Sequence, residues 1–184
     1  MSGIKRPLTI EFALLGLVRQ RPMHPYEIHQ QLSNAALSDV WRIKQAHLYA
    51  LLRRLEDEGF LIGVAEIRSN RPPRRVLSLT RQGREAFAEW MRTPVTHGRD
   101  VRIEFLVKLY FAHQEGADAV YSLIAQQRRA CQQLLDDLHH KAAALSPDQT
   151  YHRLVLQFRC GQIQATLAWL DTCSTELSQG RVNG

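Results

Sequence analysis

Cysteine is scarce in this sequence. Cys131, Cys160 and Cys173 are the only three in 184 residues, and they have neither the number nor the paired spacing of a disulfide framework or a zinc site. A reducing cytoplasm is the expected setting. Long apolar runs are missing too. The N-terminal apolar stretch, residues 10–18, is nine residues long, is interrupted by Glu11 and has no small-residue cleavage site, so neither a signal peptide nor a membrane span is expected. There is no glycine-rich phosphate loop, no nucleophile elbow and no His and carboxylate spacing for a catalytic metal. His24 and His29 lack the partners a zinc site needs, and the adjacent His139 and His140 point about 100° apart on a helix. The expectation is a protein that is not an enzyme, with no metal and no cofactor.

What is present is an ordinary globular composition, 45% hydrophobic and 23% charged, with 24 Lys and Arg against 18 Asp and Glu. The distribution of charge says more than its total. Residues 1–93 hold 15 cations and 9 anions, whereas residues 94–184 hold 9 of each, so the whole excess lies in the first half. A basic head joined to a neutral body predicts two domains, 1–93 and 94–184, the head meeting a polyanion. Residues 93–98, beginning Thr93-Pro94, are the predicted linker.

The head reads as three short helices and a hairpin. Residues 9–20 carry Ile10, Leu14, Leu17 and Val18 at helical spacing, and Arg21-Pro22 ends the pattern. Pro25 opens a second helix with Tyr26, Ile28 and Leu32 as expected buried positions. In residues 45–58, Leu48, Leu51, Leu52 and Leu55 recur at i, i+3, i+4 and i+7, and Gly59 supplies the stop. FLIGVAEI and RRVLSL are predicted strands around the turn-rich RSNRPP, and Thr80 caps a fourth helix.

The body is predicted to be almost entirely helical. Val120, Ile124, Gln127, Cys131, Leu134, Leu138 and Leu145 alternate four and three residues apart, as in a helix packed along another. In the last helix one stripe holds Tyr151, Val155, Phe158, Ala165 and Trp169, and a neighbouring one holds Leu156, Ile163, Leu167, Leu170 and Leu177. Together they cover roughly 200° of the circumference, against the ~100° an ordinary surface helix needs. The surplus predicts a homodimer whose contacts include Leu134, Leu138, Tyr151, Val155, Phe158, Ile163, Leu167, Trp169 and Leu170. Trp41, Phe105, Tyr110 and Trp169 are read as core or interface residues rather than the lining of an aromatic cavity.

Three helices followed by a hairpin is the order of a winged helix-turn-helix, whose third helix enters the major groove while the wing follows the backbone. With its leucines facing inward, the third helix turns Ala46, Ala50 and Arg53 outward, flanked by His47, Tyr49 and Arg54. Lys44 and Gln45 stand at its N-terminus, where the helix dipole also favours phosphate. The acidic trio Glu56-Asp57-Glu58 turns the other end away from DNA. Arg68, Asn70, Arg71, Arg74 and Arg75 gather at the hairpin, where Pro72 and Pro73 are expected to stiffen the loop. The predicted DNA-binding set is therefore Lys44, Gln45, His47, Tyr49, Arg53, Arg54, Arg68, Asn70, Arg71, Arg74 and Arg75.

The stretches LTIEFALLGLVRQRPMHPYEI, HLYALLRRLEDEGFL and NRPPRRVLSLTRQGREAFAEWM resemble the PadR family of bacterial transcriptional regulators, and EFLVKLYF and ATLAWL resemble the C-terminal region of the family's longer subgroup, like that of the vibrio virulence activator. Pro25 stands where many relatives have glycine, and Leu77 where an aromatic residue is common. The resemblance implies a mainly α fold with a small β-hairpin, a winged helix-turn-helix followed by an antiparallel helical dimerisation domain. It further implies a homodimeric repressor on a palindromic double-stranded DNA operator, released in some relatives by a small aromatic effector. No motif assigns effector-binding residues. The alternative is a redox-responsive regulator using interface cysteines. Cys160 and Cys173 lie 13 residues apart, about 220° around a helix, so they cannot bridge within it.

Overall fold

The computed structural model describes residues 7–34, 36–40, 42–68 and 71–180, and within them all side chains but those of residues 34, 36, 66–68, 71–73 and 177–180. The chain divides into two compact units, Met1–Thr93 and Pro94–Gly184.

The first unit begins with α1 (Thr9–Gln20), whose residues 11–18 are all buried. Glu11 is fully buried among them. It sits in the first helical turn and its Oε2 accepts from the Leu8 N–H at 2.6 Å, so a carboxylate closes an open helix terminus. Next come α2 (Pro25–Asn34), a 3₁₀ turn (Ala36–Asp39) and α3 (Gln45–Asp57). Ile28 and Leu32 of α2 are buried as expected, but Tyr26 is exposed and its hydroxyl accepts from Gln30 Nε2 at 3.1 Å. Two residues turn a helix by about 200°, so Tyr26 and Ile28 cannot share one buried face. In α3 the buried positions are Leu48, Leu51, Leu52 and Leu55. Gly59, at φ 80°, then turns the chain into the hairpin through a left-handed conformation that a side chain would strain.

Strands β1 (Leu61–Arg68) and β2 (Arg71–Leu79) pair antiparallel, with Leu61 opposite Leu79, Val64 opposite Val76 and Arg68 opposite Arg71, and an irregularity between Glu66 and Arg68. The ribbon is longer than the sequence suggests. Pro72 and Pro73 belong to β2 rather than to the loop; they fall opposite the irregularity between Glu66 and Arg68, where the register pairs neither of them and no donor is required. Met23 adds a short third rung: its N–H and carbonyl exchange hydrogen bonds with Leu77 at 3.0 and 2.8 Å. The helix α4 (Arg81–Arg92) starts at Thr80, whose hydroxyl accepts from the Gly83 N–H at 3.0 Å. It closes the core by stacking Trp90 on Phe12 of α1, with centroids 4.9 Å apart.

The second unit opens with α5 (Gly98–Asp100), a π-helical turn (Val101–Phe105) and α6 (Leu106–Glu115), followed by α7 (Ala117–Ala143) and α8 (Thr150–Gly180). Ser146-Pro147-Asp148 lies between the last two, as predicted. Helix α7 packs against α6 and α8. Its buried line runs Val120, Leu123, Ile124, Gln127, Cys131, Leu135 and Leu138, so Leu135 takes the place expected for Leu134. Gln127 is a polar member of that line. Its amide receives the Val95 N–H and donates to the Val95 carbonyl, both at 2.8 Å, which pairs both polar groups of a buried backbone position. Residue 95 of the predicted linker is thus fixed to α7.

Candidate nucleic-acid interface

The leucine spacing of α3 settles which of its residues can meet a partner. With Leu48, Leu51, Leu52 and Leu55 inward, the residues Lys44, Gln45, Ala46, His47, Tyr49, Ala50 and Arg53 are all exposed. They form one continuous surface at the N-terminal end of the helix and along its outer side. Alanines at 46 and 50 leave the backbone approachable between the longer side chains, the arrangement needed to lay a helix in a groove.

Arg54 is the member of the set that turns elsewhere. Its Nη1 lies 3.2 Å from Oε1 of the buried Glu11, and its Nε donates to Glu58 Oε1 at 2.9 Å. The hydrogen bond to Glu58 and the charge of Glu11 raise the guanidinium pKa above its ordinary value. A cation held between two carboxylates anchors α3 to α1, and withdrawing it toward a phosphate would leave Glu11 without its partner in the core. Arg54, expected among the DNA contacts, is thus engaged with Glu11 and Glu58 in this structure. Residue spacing could not show this, because position 54 borders the buried stripe and the partner lies 43 positions away. The interrupting Glu11 in an apolar run was the signal.

The hairpin divides in the same manner. Asn70 lies outside the described residues, as do the side chains of Arg68 and Arg71, whose backbone closes the ribbon. Arg74 Nη2 donates to Glu27 Oε1 of α2 at 2.8 Å, and Arg75 pairs with Glu56 of α3. Burial pushes the Glu27 carboxyl up, but the hydrogen bonds from Arg74 and the His24 N–H, with the charges of Arg74 and Arg21, hold it below the ordinary 4.5. Glu56 and Glu58, read from sequence as phosphate-repelling, are each engaged with an arginine. Glu27 was not singled out at all; only the fold brings α2 next to β2.

In the body the expected dimer residues separate into two groups. Leu138, Ile163 and Leu170 are already buried within the one chain, and Leu134, Leu167 and Trp169 are partly covered. Tyr151, Val155 and Phe158 are exposed, Tyr151 by 80% and Phe158 by 66%. Phe105 and Trp169 meet edge to face at 5.9 Å, Tyr110 stands edge to face with Phe111, and Trp41 lies outside the described residues. A cavity of about 420 Å³ is lined by Val101, Arg102, Leu106, Thr166 and Trp169 among others. Cys131 and Cys160 are buried free thiols, and burial pushes the Cys173 thiol up. Among the described residues no group of three or more His, Cys, Asp or Glu side chains could hold a metal ion, and no helix is long and apolar enough to cross a membrane.

A third helix with a polar outer face, followed by an arginine-bearing hairpin and a separate helical unit, defines a winged-helix DNA-binding regulator. The comparisons with known proteins name the particular kind. Residues 14–89 match the transcriptional regulator PadR-like family and residues 101–178 match the virulence activator alpha C-terminal family. Residues 14–89 are thus a PadR-like domain and residues 101–178 a virulence activator alpha C-terminal domain. It is 25% identical over 173 residues to the negative transcriptional regulator PadR of Bacillus subtilis, across 89% of this chain and 94% of that protein. Among solved structures, Bacillus subtilis PadR in complex with operator DNA is 24% identical with a TM-score of 0.45, over 92% of this chain and 99% of that one. The Vibrio cholerae virulence activator AphA is 24% identical with a TM-score of 0.41, over 92% and 98%. The proteins matched are transcriptional regulators and not enzymes.

Proposed function

We propose that this chain is a cytoplasmic repressor that binds a palindromic operator as a homodimer, residues 1–93 reading DNA and residues 94–184 carrying the dimer contacts. The observation that carries the proposal is the exposed surface of α3: Lys44, Gln45, His47, Tyr49 and Arg53 stand outward around Ala46 and Ala50 while the four leucines bind the helix to the head. In the proposed complex this surface enters the major groove, with Arg53 and His47 reading base edges and Lys44, Gln45 and Tyr49 on phosphates. Arg68, Asn70, Arg71 and Arg75 follow the adjacent backbone. The negative regulator named among its relatives supports repression as the sign of control.

The dimer is assigned to the first half of α8, where Tyr151, Leu154, Val155 and Phe158 are exposed together. Large apolar side chains grouped on one helix face mark an interaction surface, and a second copy of the same helix is the simplest occupant. A small-molecule effector completes the proposal: a ligand that favours one dimer geometry over another changes the spacing of the heads and so releases DNA. The body cavity beside Trp169 supports room for such a ligand.

Selection of bound duplexes from a random pool by the full-length chain tests the reading. The expected product is an inverted repeat with half-sites about ten base pairs apart, or a multiple of that. Recovery of no duplex, or of an asymmetric site bound by one chain, overturns it.

A further inference from the structure

Arg74 and Arg75 are neighbours in β2, so they leave opposite faces of the ribbon, and they meet different surroundings. The Arg75 side chain crosses β1 at Gly63, where an added Cβ would lie within 2.4 Å of its Nε, and reaches Glu56 on α3. It keeps 64% exposure, so a phosphate can approach it without unpacking the head. Arg74 keeps 30%. Its partner Glu27 is held from several sides: Arg74 Nη2 at 2.8 Å on Oε1, with the His24 N–H at 3.3 Å and Arg21 Nη1 at 3.4 Å on Oε2. Four residues before Glu27, Met23 pairs its backbone with Leu77 of the same β2 strand. Charge and backbone thus join α2, the segment before it and the wing at one place.

We propose that Glu27 is a positioning residue for DNA recognition: through Arg74 it sets how the wing is carried on the helix-turn-helix, leaving Arg75 as the wing-base arginine that meets phosphate. The inference rests on the DNA-binding reading above and removes Arg74 from the direct-contact set. Its sign is distinctive. A carboxylate near DNA repels phosphate, so if Glu27 acted only through its charge, neutralising it would tighten binding. If it positions the wing, the same change loosens the wing and weakens binding.

The experiment uses a labelled duplex selected from a random pool by the full-length wild-type chain, with affinity measured by fluorescence anisotropy well below each variant's melting midpoint, so that a loss of stability alone leaves affinity unchanged. Glu27→Gln and Arg74→Gln are each expected to weaken binding about tenfold, and the double variant no further than the weaker single, because both break one joint. Glu27→Asp keeps the charge but falls short of Arg74, and it is expected to weaken binding as well; it carries the test if Glu27→Gln does not fold. Arg75→Gln is expected to make the salt dependence shallower by about one unit per head and to add to Glu27→Gln. Unchanged or tighter binding by Glu27→Gln or Glu27→Asp, or additive losses in the double variant, overturns the positioning role. A wild-type chain that selects no duplex sinks the DNA-binding reading itself, a failure distinct from any result with the variants.

Discussion

The head and the body of this chain solve the burial problem differently. The head is made of short helices and one ribbon, and its core is complete: Leu14, Leu48, Phe87 and Trp90 are almost wholly buried, the buried Glu11 is paired with Arg54, and at the core's margin the half-buried Glu27 and Arg74 pair across elements. The body is made of long helices and its packing is one-sided. Val120, Leu138, Leu156, Ile163 and Leu170 form a dry seam, while Tyr151, Leu154, Val155 and Phe158 on α8 remain in water. Short elements that meet at many angles can enclose one another. Two long helices side by side share one stripe each and leave the rest of their circumference uncovered. A self-sufficient head with cross-element charge pairs suits rigid presentation of α3, and an incompletely covered body suits assembly.

That contrast can be broken from the head side first, where the largest effect is expected. Trp90→Ala removes the partner of Phe12 and is expected to cost about 3–5 kcal/mol, read as an early first transition in a guanidinium melt of the full chain. Next comes the body's buried amide. Gln127→Leu leaves the Val95 N–H and carbonyl unpaired; two orphaned groups at about 1–3 kcal/mol each, offset by up to about 2 kcal/mol from burying the leucine, make the expected loss about 2–4 kcal/mol in urea unfolding. The third variant addresses the exposed face of α8. Phe158→Asp is expected to leave the melting temperature of the dilute chain within a degree or two, since a solvent-exposed change costs about 0.5 kcal/mol or less. The same substitution is expected to raise the dimer dissociation constant by about tenfold or more in sedimentation equilibrium. An unchanged constant moves the dimer contact elsewhere on the body.

The charge pairs sharpen the comparison with smaller effects. Because the Glu27 carboxyl is held below 4.5 in the folded head, it stabilises the fold above the unfolded glutamate range and loses that contribution as pH falls through its folded value. Glu27→Gln is therefore expected to lower the melting temperature at pH 7 and to flatten its decline below about pH 4.5, checked by circular dichroism melts across that range. The smallest effect is expected at Arg81, whose ion pair with Glu85 is solvent-exposed on both sides. Arg81→Ala is expected to leave the melting temperature unchanged within error, as exposed pairs usually do.

Much of this was legible beforehand where the physics is local. The leucine period of α3, the Thr80 cap and the Ser146-Pro147-Asp148 break act within a few residues, and the structure has each where the sequence places it. The outward face of α3 follows from its inward one. What was not legible depends on distant partners. Arg54 and Arg53 are adjacent, yet one anchors α3 to Glu11 and the other faces water. Pro72 and Pro73 read as a loop because proline lacks a donor, and only the register of β1 with β2 reveals the break in the ladder that accommodates them within a strand. Among the α8 residues expected at a dimer contact, Ile163 and Leu170 turn out to be covered by the chain's own helices.

The sequence by itself determined the order of elements, the basic head and neutral body, and the resemblance to PadR-like regulators, because each depends on composition, short-range periodicity or a run of matching residues. The tertiary structure alone decided which charges are available. A guanidinium's role is set by which distant carboxylate stands beside it: Glu11 in its apolar run signals a buried partner, but nothing in the 43 positions to Arg54, or in the 47 between Glu27 and Arg74, says which arginine it is.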